Sequence, residues 1–342
     1  MRPLFHPRLV NSVFEDPVLF IRFLLEKRAV LFDLGNIHTL SAKDVLKISH
    51  VFITHTHIDH FYGFDRLLRL CLGREKTIYM YGPAGFLENV EGKLSAYSWN
   101  LVDSFSNQFG FHLTEIHSNH LLTNLYLCGK KFHPERPAKI IKSFNGILYE
   151  EPALSISAIA LDHSIPCLGF SIKESFHINI KKDALESLGL ETGPWLQKFK
   201  QDLFNHKSQE AEFEIKMAKG SLRKKKFILG DLAKQIAIIT PGQKITYIAD
   251  VGYSKSNADK IIEFAKDSDH LFIEAAFLDK HRNIAETKNH LTARQAGTIA
   301  AKARVKQFTI FHFSPRYTDR EMELHKEAQQ AYDMVQANEL CT

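Results

Sequence analysis

The stretch VFITHTHIDH, residues 51–60, decides the reading of this chain. Its first residues form a short apolar run of the kind that makes a buried strand. That run passes directly into four potential metal ligands, His55, His57, Asp59 and His60, within six residues. A regular strand would send alternate side chains to opposite faces. A tight loop after the strand can turn all four toward one point. Imidazoles and carboxylates suit zinc and related divalent ions. The spacing allows two ions to be served rather than one crowded.

One segment cannot complete two four- or five-coordinate ions. Further candidates lie in the same local setting, where an apolar run gives way to polar residues. His163 follows LSISAIALD, Asp250 follows KITYIA, and His312 follows TIF. Taken singly, each has a plainer reading as a rim or turn residue. Beside the cluster at 55–60 they become candidate ligands, gathered on the edge where α/β proteins build their sites.

Around these positions the chain alternates strands and helices, which argues for α/β layers. Strands are expected at 18–25, 29–35, 77–83, 270–277 and 307–314, and helices at 64–73 and 292–305, the latter capped by Thr292. The chain has 342 residues, enough for two average domains or one large α/β core. With 44% hydrophobic residues it can bury that core, which excludes a disordered chain. No apolar run is long enough to span a membrane. Glu15 and Asp16 fall where a secretion signal would need its apolar core, so none is expected. The four cysteines, 71, 128, 167 and 341, are scattered, which points to a reducing, cytoplasmic setting. The net charge of +5 weakly favours an anionic partner. Residues 190–230 change character, with few positions that look buriable, and read as an arm leaving a single domain of 1–342.

The motif HxHxDH after a strand resembles the metallo-β-lactamase superfamily. The later segments LDHSIPCLGF, DVGYS, IEAAF, NHLTARQAGTIA and HFSPRY, with YGPAG at 81–85, resemble its ribonuclease Z branch, the tRNA 3′-processing endonucleases. The likeness runs from about residue 30 to 320. It implies an αββα sandwich of two mixed sheets flanked by helices. It also implies two Zn2+ ions, or Mn2+ or another divalent ion. His55, His57 and His163 would hold one, Asp59, His60 and His312 the other, and Asp250 would bridge them. A homodimer and a precursor tRNA, or another RNA, are the partners it implies. The chain departs from the family at Ala249-Asp250-Val251, where Gly-Asp-Thr is usual, and at Ile58, where Gly is usual. Residues 115–150 have no counterpart in the family pattern.

The chemistry implied is attack of a bridging hydroxide on a phosphodiester. Asp59 would orient that hydroxide. His290 is the candidate general acid for the leaving 3′ oxygen, with Glu274 fixing its other ring nitrogen. For RNA contact the candidates are the basic run Arg223, Lys224, Lys225 and Lys226, and the Gly193-Pro194 turn, which resembles the tRNA-binding arm of bacterial relatives. Arg316 and Tyr317, beside His312, could meet a terminal nucleotide or simply close the strand end. The reading is thus a zinc-dependent endoribonuclease removing the 3′ trailer of precursor tRNA. A zinc phosphodiesterase of small substrates such as cyclic nucleotides would share every metal ligand.

Overall fold

A computed structural model describes residues 4–24, 26–142, 144–216 and 224–340. The apolar runs become strands, trimmed at their ends. Among the described residues eight strands form one sheet and six another. In the first sheet Ala29–Phe32, Ile48–Phe52, Lys76–Pro83 and Phe109–Ile116 run parallel side by side. In the second, Lys244–Ile248, His270–Glu274 and Phe308–Phe311 run parallel. Parallel strands share one carboxyl edge, and there Asp33, the 55–60 loop, Asp250, Glu274 and His312 leave the sheets.

The two sheets meet face to face through large apolar side chains. Phe170 of the second sheet stacks on Phe32 of the first, with centroids 5.5 Å apart, and also touches Phe52. Both outer faces are covered by helices. Phe64–Cys71 buries Phe64, Leu67, Leu68 and Cys71 at helical spacing, and Phe86–Ser95 buries Phe86, Val90 and Leu94. Lys255–Ala265, Ala293–Lys302 and Glu321–Leu340 contribute to the core on the other side. Each fully buried leucine or phenylalanine contributes roughly 1.5–3 kcal/mol. The result is the αββα sandwich of the metallo-β-lactamase fold. Thr292 caps its helix as expected, in a reciprocal pair with Gln295.

Of residues 115–150, unplaced from the sequence, the part up to Lys142 extends the first sheet, and the strand Ile147–Glu151 edges the second. Phe109–Ile116 and His120–Leu127 form an antiparallel hairpin, and Lys139–Lys142 adds the next strand.

The chain divides into two compact units, the smaller chiefly Tyr149–Ser155 and Lys173–Gln243. The smaller unit has its own core of Phe199, Leu203, Phe213, Ile215, Leu229, Leu232 and Ile236. Residues 190–230 therefore bury more than the sequence reading allowed. The helix Trp195–Phe204 places Phe199 and Leu203 four apart on one face. The strand Glu212–Lys216 alternates, with Phe213 and Ile215 inward between outward glutamates. No helix among the described residues is long and apolar enough to cross a membrane.

Candidate metal centre

The strand Ile48–Phe52 ends in a loop carrying Thr54 to His57, and the short helix Ile58–Phe61 follows at once. The loop-to-helix turn gathers all four side chains, as the residue types required. His55 and His60 are buried, Asp59 is half-buried and His57 is exposed.

Two groups of ligand-type atoms that share Asp250 result, each within 4.8 Å, namely His55, His57, His163 and Asp250, and Asp59, His60, Asp250 and His312, beside a third of Glu274, His290 and His312. Asp250 divides its carboxylate between them. Its Oδ2 lies 3.8 Å from His55 Nε2 and 3.6 Å from His163 Nε2. Its Oδ1 lies 3.4 Å from His60 Nε2 and 3.1 Å from His312 Nδ1. Asp59 Oδ2 is 3.2 Å from His312 Nε2.

The residues fit divalent ions on a direct structural test. His60 Nε2, Asp250 Oδ1 and His312 Nδ1 are buried and have no hydrogen-bond partner. Buried polar atoms are normally satisfied, and three orphans converging in one cluster need a ligand. The imidazoles are also held in the orientation a metal requires. His60 Nδ1 faces Asp33 Oδ2 at 2.8 Å and His163 Nδ1 donates to the Asn289 carbonyl at 2.7 Å, so each Nε2 turns inward. His55 is pushed down to about 2, by burial first and by His60 next, which keeps it neutral. Burial would raise the carboxyl of Asp59, but the hydrogen bond from His312 and the charge of His60 outweigh it and bring it to about 2. The same contest, won by His312 and His60, holds Asp250 well below the usual carboxylate range.

Asp33 is the site residue that the sequence reading missed. It is fully buried, with φ of 60°, after the strand Ala29–Phe32. It accepts from the Thr54 amide at 2.8 Å, the Thr54 hydroxyl at 2.9 Å and the Tyr247 hydroxyl at 2.9 Å. The signal was present in AVLFDLG, an aspartate closing an apolar run, where an unpartnered carboxylate would be costly.

Glu274 and His290 sit together beside the second cluster. His290 Nδ1 lies 3.1 Å from Glu274 Oε1 and 4.0 Å from Asp250 Oδ2. Glu274 is fully buried and also accepts from the amides of Val251 and Ala276. Burial would lower the His290 imidazole, but the carboxylates of Glu274 and Asp250 outweigh it and raise it to about 9.

The remaining candidates are dispersed. Arg316 is exposed, with its guanidinium over the Phe277 ring at 5.7 Å. Tyr317 is buried, and its hydroxyl meets the Leu278 amide and His281. Gly193 and Pro194 precede the helix Trp195–Phe204, where Trp195 Nε1 donates to the Glu191 carbonyl. Arg223 lies outside the described residues. Lys224 and Lys226 are exposed on the strand Lys224–Ile228 but paired with Glu214 and Glu212, each at 2.8 Å. Lys225 donates to the Leu188 carbonyl at 3.2 Å.

No family model matches the chain. It is 26% identical over 294 residues to ribonuclease Z of Deinococcus radiodurans, covering 85% of this chain and 83% of that one. It is 28% identical over 339 residues to ribonuclease Z of Bacillus subtilis, covering 93% and 91%. Its fold is similar to the metallo-β-lactamase fold protein YhfI of Bacillus subtilis, with TM-score 0.54, 14% identity, and coverage of 96% and 94%. Two His/Asp clusters sharing one carboxylate, on this fold, make the chain a metal-dependent hydrolase. By motif and sequence the chain is similar to the ribonuclease Z family, and its fold is that of the metallo-β-lactamase proteins.

Proposed function

We propose that the chain is a zinc-dependent endoribonuclease that removes the 3′ trailer from precursor tRNA. The observation that carries this is one carboxylate, Asp250, shared by two ligand clusters, with the Glu274–His290 pair 4.0 Å away. Bound divalent ions supply a nucleophile from water at neutral pH and clamp the oxygens of a phosphodiester.

The chain's own residues do the rest. Asp59 Oδ2 is held by His312, which leaves its other oxygen to take the proton of the attacking water. The water oxygen bonds to phosphorus as the bond to the 3′ oxygen breaks. His290 is held through Nδ1 by Glu274, so its Nε2 gives the proton to the leaving 3′ oxygen. An imidazole raised to about 9 is charged at neutral pH, the state a general acid needs. The products are a tRNA ending in a 3′-hydroxyl and a trailer with a 5′-phosphate. The lysines of the strand Lys224–Ile228 are the candidate holds on the RNA backbone, since phosphate contacts position a nucleic acid without reading its sequence.

The test is cleavage of a 3′-extended tRNA beside bis-p-nitrophenyl phosphate. A cut after the discriminator base is expected. Vigorous action on the small ester with none on the tRNA would assign the site to small phosphodiesters instead.

A further inference from the structure

We infer that Tyr247 is a positioning residue that sets the affinity of both ion sites by holding Asp33. This rests on the reading that the two clusters each hold a divalent ion.

Asp33 braces both clusters at once. Its Oδ2 faces His60 Nδ1 at 2.8 Å, in the Asp59 cluster. Its Oδ1 accepts from the Thr54 hydroxyl, which lies 3.1 Å from His55 Nδ1 in the other cluster. The Thr54 hydroxyl has one proton to donate, so toward His55 it accepts. A single carboxylate orientation therefore aims two Nε2 atoms inward. That orientation is fixed from across the sandwich. Tyr247, on the second sheet, donates its hydroxyl to Asp33 Oδ2 at 2.9 Å.

The ring of Tyr247 is itself clamped. It lies 5.8 Å from Phe32 and stacks on Phe311 at 5.2 Å. Phe32 directly precedes Asp33, Phe311 directly precedes His312, and Tyr247 stands three residues before Asp250. One aromatic stack thus aligns the ends of three strands, each of which delivers a residue to the centre. His312 depends on such alignment, since it adopts φ of 62°, which L side chains rarely do. Tyr247 is fully buried, and neither cluster includes it, so its hydroxyl acts through Asp33 alone.

Tyr247→Phe keeps the ring and removes the hydroxyl. The metal-free variant is titrated with Zn2+ against a chromophoric chelator, well below its unfolding temperature. Both sites should weaken together, by about 10–100-fold, the range for residues that orient metal-bound imidazoles. Thr54→Val should weaken chiefly the His55 site, and Thr54→Ser should restore it. The Co2+ spectrum of Tyr247→Phe should change as the histidines lose their fixed orientation. A variant that is less stable yet binds Zn2+ with wild-type affinity and an unchanged Co2+ spectrum would overturn the inference. Failure of the wild type to bind two ions would instead remove the reading beneath it.

Discussion

In the proposed mechanism Asp250 and His290 separate two jobs within a few ångströms, holding charge and moving a proton. His290→Ala should keep both ions, because its Nδ1 is engaged by Glu274 and the two main clusters are complete without it. Turnover on precursor tRNA should fall roughly 10²–10⁴-fold, the range for a lost general acid. On bis-p-nitrophenyl phosphate the loss should shrink, since nitrophenolate leaves without a proton. Parallel kinetics on the two substrates check this, and equal losses would make His290 a positioning group. A second residue gives a pH test of stability away from the centre. Burial pushes His270 down to about 4 from its ordinary 6.5, so it is neutral in the folded chain. Its stabilising contribution is complete above pH 6.5 and is lost as pH falls toward 4, because the unfolded chain takes up the proton first. Urea unfolding at pH 7 and pH 5 should show a smaller drop for His270→Gln than for the wild type. His55 to His60 were legible in the sequence because four ligand-type side chains crowded after a buried strand would repel and desolvate one another without an ion to share. Asp33 showed in the sequence only as an aspartate closing an apolar run, and Tyr247 was not legible, since its role depends on a contact across 214 residues of chain.

At the scale of elements, the hairpin of Glu212–Lys216 and Lys224–Ile228 tests the proposal that the chain holds RNA by its backbone. Its basic run looked in the sequence like a free cationic tract. The glutamates opposite were part of the same pattern, but only strand pairing brings Glu214 and Glu212 to Lys224 and Lys226. Exposed pairs of this kind are weak and yield readily to a phosphate backbone. Replacing Lys224, Lys225 and Lys226 by Gln should raise KM for precursor tRNA and flatten its salt dependence, because fewer counterions are released on binding. Ion content and small-diester hydrolysis should stay at wild-type levels. Glu212→Gln with Glu214→Gln should act in the opposite direction, since it frees two lysines. Cleavage rates at several salt concentrations decide the matter, and unchanged slopes in both variants would make the hairpin an ordinary solvated surface. The burial of Phe213 and Ile215 in the same hairpin was hidden by interleaved glutamates. A strand of period two among polar residues gives a weak signal until its partner strand is known.

For the whole molecule, the layered sandwich puts the carboxyl ends of parallel strands from both sheets at one centre. The fold class was readable because the strand–helix order and the ligand positions agreed. The helix Glu321–Leu340 and the hairpin of Phe109–Ile116 with His120–Leu127 were not, having no motif to mark them. The central claim is a single centre of two ions joined by Asp250. The most direct test is to titrate the metal-free chain with Zn2+ while following phosphodiester hydrolysis, for the wild type and for Asp250→Ala. Wild-type turnover should appear only as a second equivalent binds, and Asp250→Ala should hold at most one ion with almost no turnover. Full wild-type activity at one ion per chain would contradict the claim.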